Sequence, residues 1–216
     1  MKERDWRVVS ALYRGLEALY QLDSGLDPGD VLHLVARDGT EDGAQELLLL
    51  READDGDLEV ALVLDRALLA RVERRADALG RDAALLDDAL ADTLPVLEGL
   101  SHLCYVAEAA RRERPVSGLE LETQAEVDKL ALTLLSRWPD ARDDFDRLVD
   151  RLYYRFALRP DLDASLAERY HAANRVALRF SRRLRPHVMA RHLSDLRRTL
   201  REFWHADMSA KRALAA

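Results

Sequence analysis

The stretch LPVLEGLSHLCYVA, Leu94–Ala107, carries one carboxylate and one histidine in a chain that is 34% charged. At about 100° per residue, Val96, Leu97, Leu100, Leu103, Cys104 and Ala107 share one helical face, while Glu98, His102 and Tyr105 share the opposite one. The remaining positions are small or apolar, which predicts a helix buried around most of its circumference. Pro95 either starts this helix or kinks one already begun, and Pro115 ends it. Ser117 can cap a second long helix through Ser136, and the short connection predicts an antiparallel pair.

Working outward from that pair, the C-terminal part reads as helices over about Asp140–Phe156, Asp163–Leu184 and Met189–His205. A turn is expected at Arg159-Pro160-Asp161, and residues 206–216 read as a frayed tail. On the N-terminal side, residues 3–22 are amphipathic at helical spacing, and residues 31–37 fit a strand or a short helix behind Asp27-Pro28. Gln45–Glu52 and Leu58–Asp65 are two extended, apolar runs joined by ADDGD, whose Asp-Gly is a hairpin signal. RALLARVERRADAL then reads as a helix ending at Gly80, with Asp82 able to cap the next. The expected fold class is mainly α: one domain over residues 1–216, an antiparallel helical core, and a small antiparallel β-hairpin or meander within residues 31–65.

Composition narrows the function classes. The 216 residues include one cysteine, Cys104, so no intrachain disulfide forms, and a thiol inside an apolar helix behaves as a small buried hydrophobe. Charged residues interrupt every apolar run before the roughly 18 residues of a membrane span, and no secretory h-region stands at the N-terminus. A cytoplasmic protein is expected, without a membrane partner. The 30 arginines against three lysines read as a codon-level bias of a GC-rich bacterial genome more than a need for guanidinium chemistry. Charge is uneven: residues 1–136 hold 29 acids and 15 bases, residues 137–216 hold 11 acids and 18 bases. Such asymmetry marks a basic binding surface or a half that packs on its acidic counterpart.

Two constellations stand out. Glu98 and His102, one turn apart, pair with each other or aim at a cleft, with Tyr105 beside them. The second long helix carries a narrow polar stripe of Glu122, Glu126, Lys129 and Thr133, and counting from the turn at Pro115 brings the two stripes opposite each other. The six residues Glu98, His102, Tyr105, Glu122, Glu126 and Lys129 would make a buried polar network, an acid-base site or a metal cluster in which the lysine competes with the ion. Two Glu-x-x-His matches, Glu168/His171 and Glu202/His205, have the spacing of di-metal bundles, but both glutamates lie opposite their helices' core faces. No metal or cofactor is therefore assigned. No phosphate-binding glycine loop, paired cysteines or nucleophile elbow occurs, so no catalytic residue is assigned either.

The second constellation is basic: Arg175, Arg179, Arg182, Arg183, Arg185, Arg197 and Arg198 follow the outer faces of the last two long helices. They suit an acidic protein or self-association better than nucleic acid, given the net charge of -7 and the lack of a helix-turn-helix signature. The expectation is a non-enzymatic protein that binds a partner through this surface. The alternative is a ligand- or metal-binding protein or enzyme built on the polar cluster of the two central helices.

Overall fold

The computed structural model describes residues 6–36, 45–52, 58–79, 85, 87–158 and 162–216. Its elements are α1 (Arg7–Tyr20), α2 (Pro28–Val31), β1 (Leu32–Val35), β2 (Glu46–Glu52), β3 (Leu58–Asp65), α3 (Arg66–Leu79), α4 (Asp87–Arg111), α5 (Gly118–Ser136), α6 (Ala141–Val149), α7 (Ala164–Met189), α8 (Leu193–His205) and α9 (Met208–Leu214). They fall into two compact units: Met1–Ala18 with Leu22–Arg114, and Leu19–Gln21 with Pro115–Ala216. The protein is mainly helical with a small sheet near its N-terminus. No helix among the described residues is long and apolar enough to cross a membrane.

In the first unit, the apolar stripe of α1 is buried from Val8 to Leu16. The start of α1 is capped from α3, where Glu73 accepts the Val8 N–H at 3.1 Å, and burial raises the pKa of that carboxyl. Of residues 31–37, the strand reading holds over Leu32–Val35, the short helix behind Asp27 ends at Val31, and Arg37 lies outside the described residues. Asp27 accepts the Gly29 N–H and starts the single turn of α2, after which the chain extends into β1.

The expected antiparallel hairpin is β2 with β3, and β1 joins it in parallel, so the sheet is mixed and not an antiparallel meander. The strand order is β1-β3-β2, with β2 antiparallel to β3 (Glu46 opposite Leu64, Glu52 opposite Leu58) and β1 parallel to β3 (Leu32 opposite Leu62). The physical reason lies in LEVALVLD: β3 takes the centre, where Leu62 and Leu64 are fully buried and flanked by apolar neighbours on both sides. The ADDGD turn, Gly80, Asp82 and the Arg159-Pro160-Asp161 turn lie outside the described residues.

α4 is one continuous helix through Pro95, and it packs on β2, β3 and α3. Gly99 sets how closely it lies on the sheet. A Cβ there would meet Leu62 Cδ1 at 2.7 Å and Glu46 Oε2 at 3.0 Å.

In the second unit, Ser117 caps α5 as expected, accepting the Glu120 N–H. α5 packs most extensively on α7, and every residue from Glu122 to Leu134 is buried. The helices α4 and α5, expected to pair, thus belong to different units. α6 continues as a π-helical turn over Asp150–Tyr154. α7 runs past its expected end at Leu184 to Met189 despite Pro186, because Leu184 and Val188 continue its buried face. Arg191, in the left-handed region (φ 55°), then ends it, with the His192 N–H bonded to His187 O.

The tail expected to fray is instead α9. Asp207 caps it by accepting the Ala210 N–H at 2.8 Å, and Lys211 and Ala215 are buried.

The close approach at Gly99 gives a direct check. Gly99→Val should destabilise the protein by about 1–3 kcal/mol through overpacking, seen as a lower urea midpoint. An unchanged midpoint would mean that α4 can lift from the sheet at no cost.

Candidate functional site

The two halves of the sequence-derived polar cluster are placed as follows. In the first unit, Glu98 is half-buried and His102 is buried, with their ligand atoms within 4.8 Å of each other on one face of α4. Tyr105 is buried, and its hydroxyl accepts from Arg114 Nη2 at 3.0 Å, with the guanidinium 5.4 Å from the ring centroid. At the end of α4, Glu108 accepts from Arg111 at 2.8 and 2.9 Å and lies 2.5 Å from Arg112 Nε. The Arg111 hydrogen bond, with the Arg112 charge adding to it, holds this carboxyl below its ordinary pKa.

In the second unit, the expected stripe of α5 is buried and internally paired. Lys129 Nζ donates to Glu126 Oε1 at 2.7 Å, and Thr133 Oγ1 donates to Lys129 O. Arg169 from α7 lies over Gly118 and brings its Nε to 3.8 Å from Glu122. From the π-helical turn, Tyr153 donates its hydroxyl to Glu126 O at 3.0 Å. Burial, with the negative charge of Glu126 added, pushes this phenol well above its ordinary pKa and keeps it neutral.

A second polar group on α5 escaped the sequence reading. Lys211 Nζ from α9, fully buried, donates to Gln124 Oε1 at 2.7 Å, Phe203 O at 2.5 Å and Trp204 O at 3.4 Å. It also lies 4.4 Å from the Phe203 ring centroid. Gln124 passes the chain on to Asp128 Oδ1 at 2.8 Å, and Tyr20 OH also donates to Asp128. The Tyr20 ring stacks on Trp204 at 4.1 Å. The ammonium thereby satisfies the last carbonyls of α8, where the helix dipole favours a cation. The available signals were the i, i+4 spacing of Gln124 and Asp128 and the rarity of lysine. Reading residues 206–216 as frayed hid the third member.

On the basic side, Arg175, Arg179, Arg182, Arg183, Arg185, Arg197 and Arg198 are all exposed. They divide into two sets. Arg183 pairs with Glu202 at 3.4 Å, Arg185 with Asp146 at 3.0 Å and Arg198 with Asp195 at 2.7 Å. Arg175, Arg179, Arg182 and Arg197 make no ion pair among the described residues. Glu168, His171, Glu202 and His205 are exposed as well, in keeping with the outward orientation expected of both Glu-x-x-His matches.

No protein-family model, curated protein or solved structure matches the chain.

Two outcomes follow from the polar geometry. Lys211→Met should destabilise the protein by about 1–3 kcal/mol, because Gln124 and two helix-end carbonyls lose a buried donor. Unchanged thermal unfolding would mean that the tail is not part of the folded unit. For Glu108, the unfolded carboxyl takes up its proton before the folded one. Its stabilisation is therefore complete above the ordinary carboxylate range and lost as pH falls through and below it. Glu108→Gln should unfold at a lower temperature than wild type at neutral pH and match it in strong acid; equal melting temperatures at neutral pH would refute this.

Proposed function

We propose that the protein works by binding an acidic protein partner along the outer face of α7. The observation that carries this reading is the set Arg175, Arg179 and Arg182: exposed, and engaged by no acid among the described residues. At 100° per residue they fall within about 60° of one another, and at 1.5 Å per residue they span roughly 10 Å of helix. Neighbouring arginines are already neutralised by Asp146 and Glu202, so this line is the part of the surface with cationic valence to offer. Guanidinium groups grip carboxylates through two parallel hydrogen bonds.

The paired state of the α5 stripe supports a non-enzymatic reading. Glu126 is held by Lys129 and Glu122 faces Arg169, so these carboxylates serve as counter-ions within the unit.

The test uses a fluorescent poly-glutamate peptide, with a DNA duplex of similar charge as comparison. The peptide should bind, weaken steeply between low and physiological salt, and lose at least tenfold in affinity in the triple variant Arg175→Glu, Arg179→Glu, Arg182→Glu. Flat salt dependence, equal affinity in the triple variant, or preference for the duplex would each overturn the proposal.

A further inference from the structure

We propose that β2 is a self-association edge, at which two copies pair their β2 strands antiparallel about a two-fold axis and extend each three-stranded sheet into one of six strands. β2 lies at the end of the order β1-β3-β2, so its outer edge meets no strand among the described residues. Protected edge strands are short, charged, bulged or interrupted by proline. β2 reads ELLLLRE over seven residues: its charges stand at the ends, and the uncharged stretch between them leaves Leu47 43%, Leu49 49% and Leu50 49% exposed.

Its hydrogen bonding is arranged for such pairing. Gln45 and Asp65 face each other, and the Asp65 N–H bonds to Gln45 O at 3.0 Å. By the alternation of an antiparallel ladder, Leu47, Leu49 and Arg51 direct their backbone groups to β3, and Leu48 and Leu50 direct theirs to the open edge.

Symmetry and charge narrow the register, and the facing of Leu47 with Leu49 decides it. A two-fold axis normal to the sheet keeps each residue on its own face, so residues set opposite one another differ by an even number. Centring the pair on Leu49 would set Glu46 against Glu52 of the second copy, a like-charge pair on one face. Centring it on Leu48 sets Leu47 against Leu49 of the second copy, and Gln45 against its Arg51, with no like charges opposed. Leu47 and Leu49 then occupy positions without mutual backbone bonds, where facing side chains approach most closely. The odd-numbered face of β2 is the uncovered one, since Glu46 and Leu62 lie beneath α4 at Gly99. Pairing there joins two exposed leucine patches.

The contact is smaller than the ~800 Å² per partner of a stable complex, so the dimer is weak and depends on concentration. Residues 1–136 carry 29 acids against 15 bases, and two such parts repel each other. Added salt therefore strengthens this association, the opposite of its effect on binding through the α7 arginines. The two proposals fail separately.

The experiment is sedimentation equilibrium of the full chain over a concentration series at two salt levels. Wild type should shift from monomer to dimer, more so at high salt. Leu50→Pro should abolish the shift while preserving the circular dichroism spectrum, because the N–H it removes faces the open edge. For register, single Leu47→Cys and Leu49→Cys proteins are oxidised separately and mixed. Facing Cα atoms about 4.5 Å apart are within disulfide reach, and a covalent dimer should form only in the mixture. A monomer at all concentrations, association untouched by Leu50→Pro, or crosslinking of Leu49→Cys alone would overturn the proposal.

Discussion

An ionisable side chain buried on a helix must find its counter-charge within the fold, and α5 imposes that demand more heavily than any other element. Every residue from Glu122 to Leu134 is buried, and this run contains Glu122, Glu126, Asp128 and Lys129. An unpaired buried charge is costly enough that the surrounding elements must supply partners. Arg169 of α7 faces Glu122, Lys129 holds Glu126 from within α5, and Lys211 of α9 reaches Asp128 through Gln124. The tail in the second unit is thus an answer to that constraint, while the π-helical turn meets a different demand: it carries Tyr153 to a backbone carbonyl on α5.

Much of this was legible in the sequence where periodicity and capping act locally. Ser117 caps α5, the runs Gln45–Glu52 and Leu58–Asp65 pair as strands, and the low-charge stretch around Leu100 is buried in α4. What escaped depends on partners distant in sequence. The parallel pairing of β1 with β3 follows from where Leu32 and Leu34 find a covered face, which no local pattern records. The tail of residues 206–216 reads by itself as frayed, yet Lys211 is held by Gln124, 87 residues away. Proline misled at Pro186, where burial of Leu184 and Val188 outweighs one lost helical hydrogen bond.

The arginines show how one residue type takes different roles under a compositional bias. Counting them along α7 and α8 gives a row of arginines that are exposed, but overstates its available charge. Asp146 from α6, Glu202 and Asp195 from α8 neutralise Arg185, Arg183 and Arg198. Exposed pairs of this kind contribute little to stability, being screened by water and salt. Their consequence is to concentrate the remaining positive character on a narrower line of α7.

The leucine run of β2 carries a comparable excess. Four consecutive leucines fit a strand buried on both faces, as in a sheet sandwiched between helices. Here α4 covers the even-numbered face at Glu46 and Leu48, held close by Gly99 over Leu62, while Leu50 beyond the covered part and Leu47 and Leu49 on the other face stay about half exposed. Core formation in this unit accounts for Leu48, Leu62 and Leu64, and places no demand on Leu47 or Leu49. A polar residue at either position would preserve the inner face, and it would suit a solvent-facing edge better. The apolar choice at both positions is therefore not required by the inner face, and it is the observation on which the proposed pairing of β2 edges rests.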